Sequence, residues 1–331
     1  MKTLFINKDE VKELLTMEDT LKAVEQAFEA KGRKKAEMPC KVYLFYPKYN
    51  GDIRVMPSYL PELDISGVKV VNVHPDNPKK YRLPSVMATI VLINPKNGFP
   101  IAILDGTWIT DMRTGAAGGV ATKYLARKNS TVLALIGAGV QAETQLQAIL
   151  QVRPIKKVNI YDINERVSKA FAKKYKNMYS SVEFYIAKSL KDCVADADIV
   201  STQTPVRKPI IMKDWIKPGT HINAIGADAP GKQELDPELL LISKIVIDDW
   251  EQASHSGEIN VPLSKGIISQ KHIYAEIGEI VAGLKKGRVS DDEITIFDST
   301  GLGIQDLTTA YRVYQIAKRQ KIGMWCSLVS K

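Results

Sequence analysis

The sequence predicts an α/β chain in which a doubly wound parallel sheet is joined in sequence to a second, α+β domain. Three observations carry that prediction. From Met38 to Ile103, short apolar or alternating runs are separated by Pro, Gly and Asn, the pattern of a mainly antiparallel sheet. After Arg113 a helix of small residues follows, GAAGGVATKYLA. Beyond it buried strands alternate with helices, and each strand ends in polar or glycine-rich residues, as in an open parallel sheet with a ligand crevice.

Two helix starts open the chain. Asn7 with Glu10, and Thr16 with Asp19, have the spacing at which a side-chain oxygen caps the free amides of a first turn. In the second helix Leu21, Val24, Ala27 and Phe28 form an apolar stripe, and Gly32 is the expected stop. The strands of the first domain are KVYLFY, DIRVMPSYL, GVKVVNV, SVMATIVLI and PIAILD, with PKNG turning a hairpin between the last two. Those of the second are TVLALIG, KVNIYD, VEFYI, ADIVST, THINAIG, KIVIDD and ITIFDST. A last helix, Ile304 to Arg319, carries Leu307, Ala310, Tyr311, Tyr314 and Ala317 on one face and is expected to complete the first domain. The expected division is therefore 1–120 with 304–331 for an α+β substrate domain, and 121–303 for a Rossmann-type domain.

At 331 residues, with 45% hydrophobic and 25% charged residues, the chain has material for two ordinary globular domains. The formal charge of +9 is spread along the sequence and interleaved with acids, so no nucleic-acid footprint is expected. Cys40, Cys193 and Cys326 are isolated thiols without CxxC pairing, and the four histidines lack metal-ligand spacing, so neither disulfide nor metal is expected. The N-terminus has no apolar signal core, and the run Val86 to Ile93 is too short to cross a bilayer, which leads to a cytoplasmic expectation with no membrane partner.

The sharpest motif is LALIGAGVQAETQLQAIL, in which an apolar strand ends in Gly137-Ala138-Gly139-Val140-Gln141-Ala142 and a helix begins at once. Glycines there permit a tight turn and close approach of a pyrophosphate, whose charge meets the amides of the helix N-terminus. Asp162 ends the next strand, where a carboxylate accepts hydrogen bonds from the ribose hydroxyls of NAD and repels the extra phosphate of NADP. Downstream strand ends supply Ser201, Thr202 and Thr204, then Ile225, Gly226 and Asp228, then Ser299, as further cofactor candidates. Asp228, before a Pro-Gly turn, is the best general-base candidate. In the first domain Arg54, Lys69 and Arg113 lie on or beside apolar segments; each is either a ligand for an anion such as an α-carboxylate or an ordinary salt-bridged residue.

The string Asp105-Gly106-Thr107 through Arg113-Thr114-Gly115-Ala116-Ala117, with Gly137-Ala138-Gly139, Asp162 and Gly226-Ala227-Asp228-Ala229-Pro230-Gly231-Lys232, resembles the ornithine cyclodeaminase and mu-crystallin family over nearly the whole chain. Within it, RVMPSYL together with RTGAAGGVATKYLARKNS looks most like the archaeal-type alanine dehydrogenases. The resemblance implies a homodimer, an N-terminal substrate and dimerisation domain completed by the C-terminal helix, and NAD as cofactor. It also implies that Lys69 and Asp228 face the substrate, that Arg54 and Arg113 help hold its carboxylate, and that Arg113-Thr114 lies close to the cofactor phosphates. Many members carry an arginine where this sequence has Lys41, which gives Arg54 more weight.

The implied activity is reversible oxidative deamination of L-alanine to pyruvate and ammonium. The alternatives are ornithine cyclodeamination, for whose distal amine no residue stands out, reduction of a cyclic imino acid, and non-catalytic binding of a cofactor or small ligand.

Overall fold

A computed structural model describes residues 1–329 of the protein, so Ser330 and Lys331 of the expected C-terminal segment lie outside the described residues. In chain order the first strands are β1 (Thr3–Ile6), β2 (Val42–Tyr46), β3 (Gly51–Leu60), β4 (Ile65–Val73), β5 (Val86–Ile93), β6 (Pro100–Asp105), β7 (Val132–Ile136) and β8 (Lys157–Tyr161). There follow β9 (Glu183–Ile186), β10 (Ile199–Thr202), β11 (His221–Ala224), β12 (Lys244–Ile247), β13 (Ile273–Glu276), β14 (Thr295–Asp298) and β15 (Met324–Cys326). The chain forms two units, one made of Met1–Arg113 with the segment from Leu302 onward, the other of Thr114–Gly301. The first division falls inside the helix Thr107–Leu125, whose Gly115 and Gly118 pack on Thr144 and Gln145 within the second unit.

The first unit is a seven-stranded sheet in the order β15-β1-β6-β5-β4-β3-β2, antiparallel except where β1 runs parallel to β6. The hairpin between β5 and β6 is closed by the Asn94 carbonyl, which accepts from Gly98 N at 2.9 Å. Both helix starts form as spaced: Asn7 and Glu10 make a reciprocal cap, and Thr16 Oγ1 accepts from Asp19 N. Strands β1 and β15 are too short to announce themselves by alternation; each is defined by its partner across the sheet.

One sheet face buries Arg54, Met56, Ser58 and Leu60 of β3 and Ile65, Lys69 and Val71 of β4, and the helix Gly303–Gln320 covers it. Gly67 lets that helix come close, since a Cβ there would lie 2.6 Å from the Val91 carbonyl oxygen and 2.9 Å from Leu307 Cδ1. The helix is buried on every side from Gly303 to Ala310 and continues its inner stripe through Val313, Ile316 and Ala317. Tyr311 and Tyr314, expected on that stripe, are half-buried and stack on each other with ring centroids 6.2 Å apart.

The second unit is an eight-stranded, wholly parallel sheet in the order β13-β12-β14-β11-β10-β7-β8-β9. From the neighbours β7 and β10 the sheet extends in opposite directions, through β8 and β9 on one side and through β11 on the other, where β14 is inserted before β12 and β13; the carboxyl ends of such a pair open a crevice.

His221 of β11 is fully buried, with Nδ1 at 2.9 Å from Thr295 Oγ1 and Nε2 at 3.0 Å from Asn223 Oδ1. Burial, and secondarily the charge of Arg288, lower its pKa from 6.5 to about 3. The unfolded histidine takes up a proton as the pH drops below its ordinary value while the folded one does not, so stability is lost as the pH falls from 6.5 toward 3. At pH 5 that loss is about 2 kcal/mol. Denaturant unfolding at pH 7 and pH 5 should show His221→Gln losing less stability than the wild type by about that amount; equal losses would assign the acid sensitivity elsewhere.

Candidate active site

In the first unit the strand β4 places Lys69 in an apolar wall. Met56 lies directly opposite it on β3 and Ile90 on β5, and both are buried. The Lys69 ammonium is 2.7 Å from Asp306 Oδ2, and each side chain is only 1% exposed. The other oxygen, Asp306 Oδ1, accepts from Arg113 Nε at 3.0 Å. Arg113 Nη1 donates to Gln305 Oε1 at 3.1 Å, and the same oxygen accepts from Leu302 N. Two cations from distant parts of the sequence thus share one carboxylate in a dry setting. Burial lowers the Lys69 pKa from 10.5 to about 7; the charges of Arg113 and Lys41 push the same way and Asp306 opposes them. Lys69 therefore changes charge near neutral pH, far below an ordinary lysine.

Arg54 faces the same side of the sheet, opposite Val71 of β4. It donates from Nε and Nη2 to the two oxygens of Asp52 at 3.0 and 3.2 Å, and its guanidinium lies 5.4 Å from the Tyr43 ring centroid. Asp52 thus takes the Nε and Nη2 donors of the guanidinium as a two-point ion pair.

In the second unit the turn after β7 begins with Gly137 at φ +88°, a left-handed conformation that favours glycine. Its N–H donates to Tyr161 O at 2.8 Å, and its carbonyl accepts from Gln203 Nε2 at 2.7 Å. Ala138 N donates to Asp162 Oδ2 at 2.9 Å, while Asp162 Oδ1 accepts from Asn164 N. Asp162 is thereby locked beside the glycine turn, with further lone pairs for hydroxyl donors. The helix Val140–Val152 starts at Gly139 without a side-chain cap. Open space lies where a Gly139 Cβ would be, and Val140 is 53% exposed. An uncapped helix N-terminus with room at its glycine fits a pyrophosphate. Gln141 lies in its first turn, and Thr114 at the unit's beginning accepts from Gln145 Nε2 through its carbonyl.

The downstream strand ends are joined by a residue that sequence reasoning missed. Glu234, fully buried, accepts from Thr204 N and Thr204 Oγ1 at 2.7 Å through Oε1, and from Thr202 Oγ1 and Gly226 N at 2.8 Å through Oε2. Its own N–H donates to Glu258, also fully buried. Burial raises the pKa of both carboxyls, and the neighbouring Glu234 charge adds to the rise at Glu258. The hydroxyls of Ser201 and Thr202 are committed inside the unit, Ser201 Oγ to Gln203 Oε1 at 2.9 Å and Thr202 Oγ1 to Glu234. Ile225 follows β11 with its N–H on Thr202 O, and Ser299 follows β14 with its N–H on Ala224 O.

Asp228 sits in the turn after β11, its side chain 37% exposed and its Oδ1 2.5 Å from Lys232 Nζ. Asn260 fixes that turn by accepting from Gly231 N and donating to Lys232 O. Glu234 gave no sequence signal because GKQELD reads as a polar loop. Asp306 did give one, being the only charged residue between Ser299 and Tyr311.

Among the described residues no group of three or more His, Cys, Asp or Glu is placed to hold a metal, and no helix is long and apolar enough to cross a membrane. Comparison with known proteins gives the arrangement relatives over its full length. The alanine dehydrogenase of Archaeoglobus fulgidus is 50% identical over 323 residues, covering 98% of each chain. A solved archaeal alanine dehydrogenase dimer with bound NAD superposes with a TM-score of 0.95 at 48% identity, over 99% of this chain and 100% of that one. The Δ1-pyrroline-2-carboxylate reductase of Thermococcus litoralis, solved with NADH and L-proline, gives 0.94 at 43% identity, over 97% and 99%. The family model described as ornithine cyclodeaminase/mu-crystallin matches residues 1–321, and the chain belongs to that family.

Proposed function

We propose that this chain is an NAD-dependent amino-acid dehydrogenase that interconverts L-alanine with pyruvate and ammonium. The observation that carries the reading is the buried Lys69–Asp306–Arg113 cluster, which holds more positive than negative charge where water is scarce. A substrate carboxylate balances that excess, and a lysine poised near neutral pH serves the carbonyl beside it. The 50% identity with the Archaeoglobus alanine dehydrogenase supports alanine as the amino acid.

In this reading Gly137, Ala138, Gly139, Val140 and Gln141 hold the cofactor pyrophosphate, with Arg113 and Thr114 near the phosphates, and Asp162 accepts from the adenosine ribose hydroxyls. Bound NAD supplies the two-electron acceptor for hydrogen leaving the substrate α-carbon. Arg54 and Arg113 fix the substrate carboxylate. Lys69 orients the same end of the substrate, polarises the developing carbonyl and donates a proton to its oxygen in the reverse direction. Asp228 moves protons to and from water and the departing ammonia. The Thr204, Ile225, Gly226 and Ser299 loops form the nicotinamide side of the crevice.

The working form is a homodimer in the cytoplasm. The edge strand β2 supports the dimer, since Val42, Leu44 and Phe45 are 57, 58 and 67% exposed, an apolar edge that an isolated chain would leave open to water. The archaeal alanine dehydrogenase structure is likewise a dimer.

A second reading, reduction of a cyclic imino acid, has one observation in its favour: the Thermococcus reductase is 43% identical and takes the same fold. NADH consumption by the purified protein separates the two. Faster consumption with pyruvate and ammonium than with Δ1-pyrroline-2-carboxylate is expected. Consumption with the cyclic imino acid and none with pyruvate would replace alanine dehydrogenation by imino acid reduction.

A further inference from the structure

We infer that Asp306 is a positioning residue for the reaction, holding the Lys69 ammonium and the Arg113 guanidinium as one unit that meets the substrate carboxylate. The inference rests on the dehydrogenase reading for the roles of Lys69 and Arg113, and adds to it a residue that touches neither substrate nor cofactor.

The geometry argues for it in three ways. Asp306 uses separate oxygens for the two cations, Oδ2 at 2.7 Å from Lys69 and Oδ1 at 3.0 Å from Arg113, so moving the carboxylate moves both. It lies in the first turn of the helix Gly303–Gln320, where the helix N-terminus favours an anion, and Gln305 beside it receives Arg113 Nη1. All three charged side chains are buried, and such buried charge clusters are weak contributors to stability compared with packed apolar residues.

The groups facing Lys69 are Arg113 from the helix Thr107–Leu125, Asp306 from the helix Gly303–Gln320 and Lys41 from the segment before β2, while β3 and β5 oppose it with Met56 and Ile90. Asp306 is the group there that favours the protonated lysine, acting against burial and two cations. In Asp306→Asn the ammonium loses that support, and Lys69 releases its proton at lower pH.

The test is the pH profile of kcat/KM for pyruvate, with NADH binding and thermal unfolding measured beside it. In the wild type the rate of amination falls as the pH rises through the Lys69 titration. In Asp306→Asn that alkaline limb is expected to move down by about one pH unit or more. The KM for pyruvate should rise roughly tenfold to a hundredfold, as the Arg113 fork loses a charge-assisted anchor. NADH affinity should stay within about twofold, because the dinucleotide candidates other than Arg113 lie in Thr114–Gly301.

An unmoved limb in a folded Asp306→Asn overturns the inference and leaves the dehydrogenase reading standing. If that variant does not fold, Asp306→Glu decides: the charge remains one methylene away, so an unmoved limb with a raised KM supports positioning, and any other profile overturns it. Failure of both variants to fold makes Asp306 a structural brace and also overturns it. A wild type without turnover on pyruvate and ammonium fails the dehydrogenase reading itself, a result visible before any variant is made.

Discussion

Lys69→Met is expected to lower kcat/KM for pyruvate by roughly a thousandfold while NADH binding stays within about twofold. Methionine fills the slot between Met56 and Ile90 with a flexible apolar chain of similar length, so the wall of β3, β4 and β5 stays packed. It removes the ammonium that Asp306 holds, and with it both a carboxylate ligand and the proton donor. Asp306 keeps Arg113 as its partner, so no buried carboxylate is stranded. The variant should also be at least as stable as the wild type at pH 7. A lysine depressed to about 7 binds fewer protons folded than unfolded between that value and its ordinary 10.5, so it subtracts stability increasingly as the pH falls through this window, most fully below 7. Steady-state kinetics with thermal unfolding check both halves. Turnover within a few-fold of wild type would remove Lys69 from the chemistry.

Asp228→Asn is expected to lower kcat by roughly a hundredfold to a thousandfold with NADH affinity nearly unchanged. The amide keeps the shape of the turn after β11, which Asn260 fixes through Gly231 and Lys232, but it cannot accept a proton. The loss should fall on kcat more than on the KM for pyruvate, because the substrate carboxylate is assigned to Arg54, Lys69 and Arg113. Single-turnover kinetics distinguish a slowed chemical step from slowed product release. Wild-type kcat in this variant would transfer the base to another group.

Much of this architecture was legible because its signals are local. The capped helix starts at Asn7 and Thr16, the hairpin at PKNG and the glycine turn after β7 each depend on residues within a few positions of one another. Strands β1, β13 and β15 were not legible, since each is three or four residues long and is defined by a distant partner. The same distinction runs through the candidate site. Lys69 and Arg113 stand out as cations among apolar neighbours, but what they bind comes from the far end of the chain. Asp306 sits on a helix whose periodicity continues through it, so a stripe reading passes over a carboxylate that three dimensions make central. Glu234 is hidden for the opposite reason: a polar loop looks solvated until Thr202, Thr204 and Gly226 are seen to close around it.

The threading of the first unit imposes an order on synthesis. As the chain leaves the ribosome, β2 to β6 emerge early, yet the helix that covers their buried face and the strand that pairs β1 come last. The contiguous unit from Thr114 to Gly301 can complete its sheet while the first still lacks its lid, reversing the usual N-terminal-first sequence of domain folding. Until residue 306 arrives, Lys69 and Arg113 have no Asp306 to share. The segment from Leu302 onward thus belongs to the first unit alone: the contiguous Thr114–Gly301 sheet has all its strands without it, while Lys69 and Arg113 depend on it for their shared carboxylate.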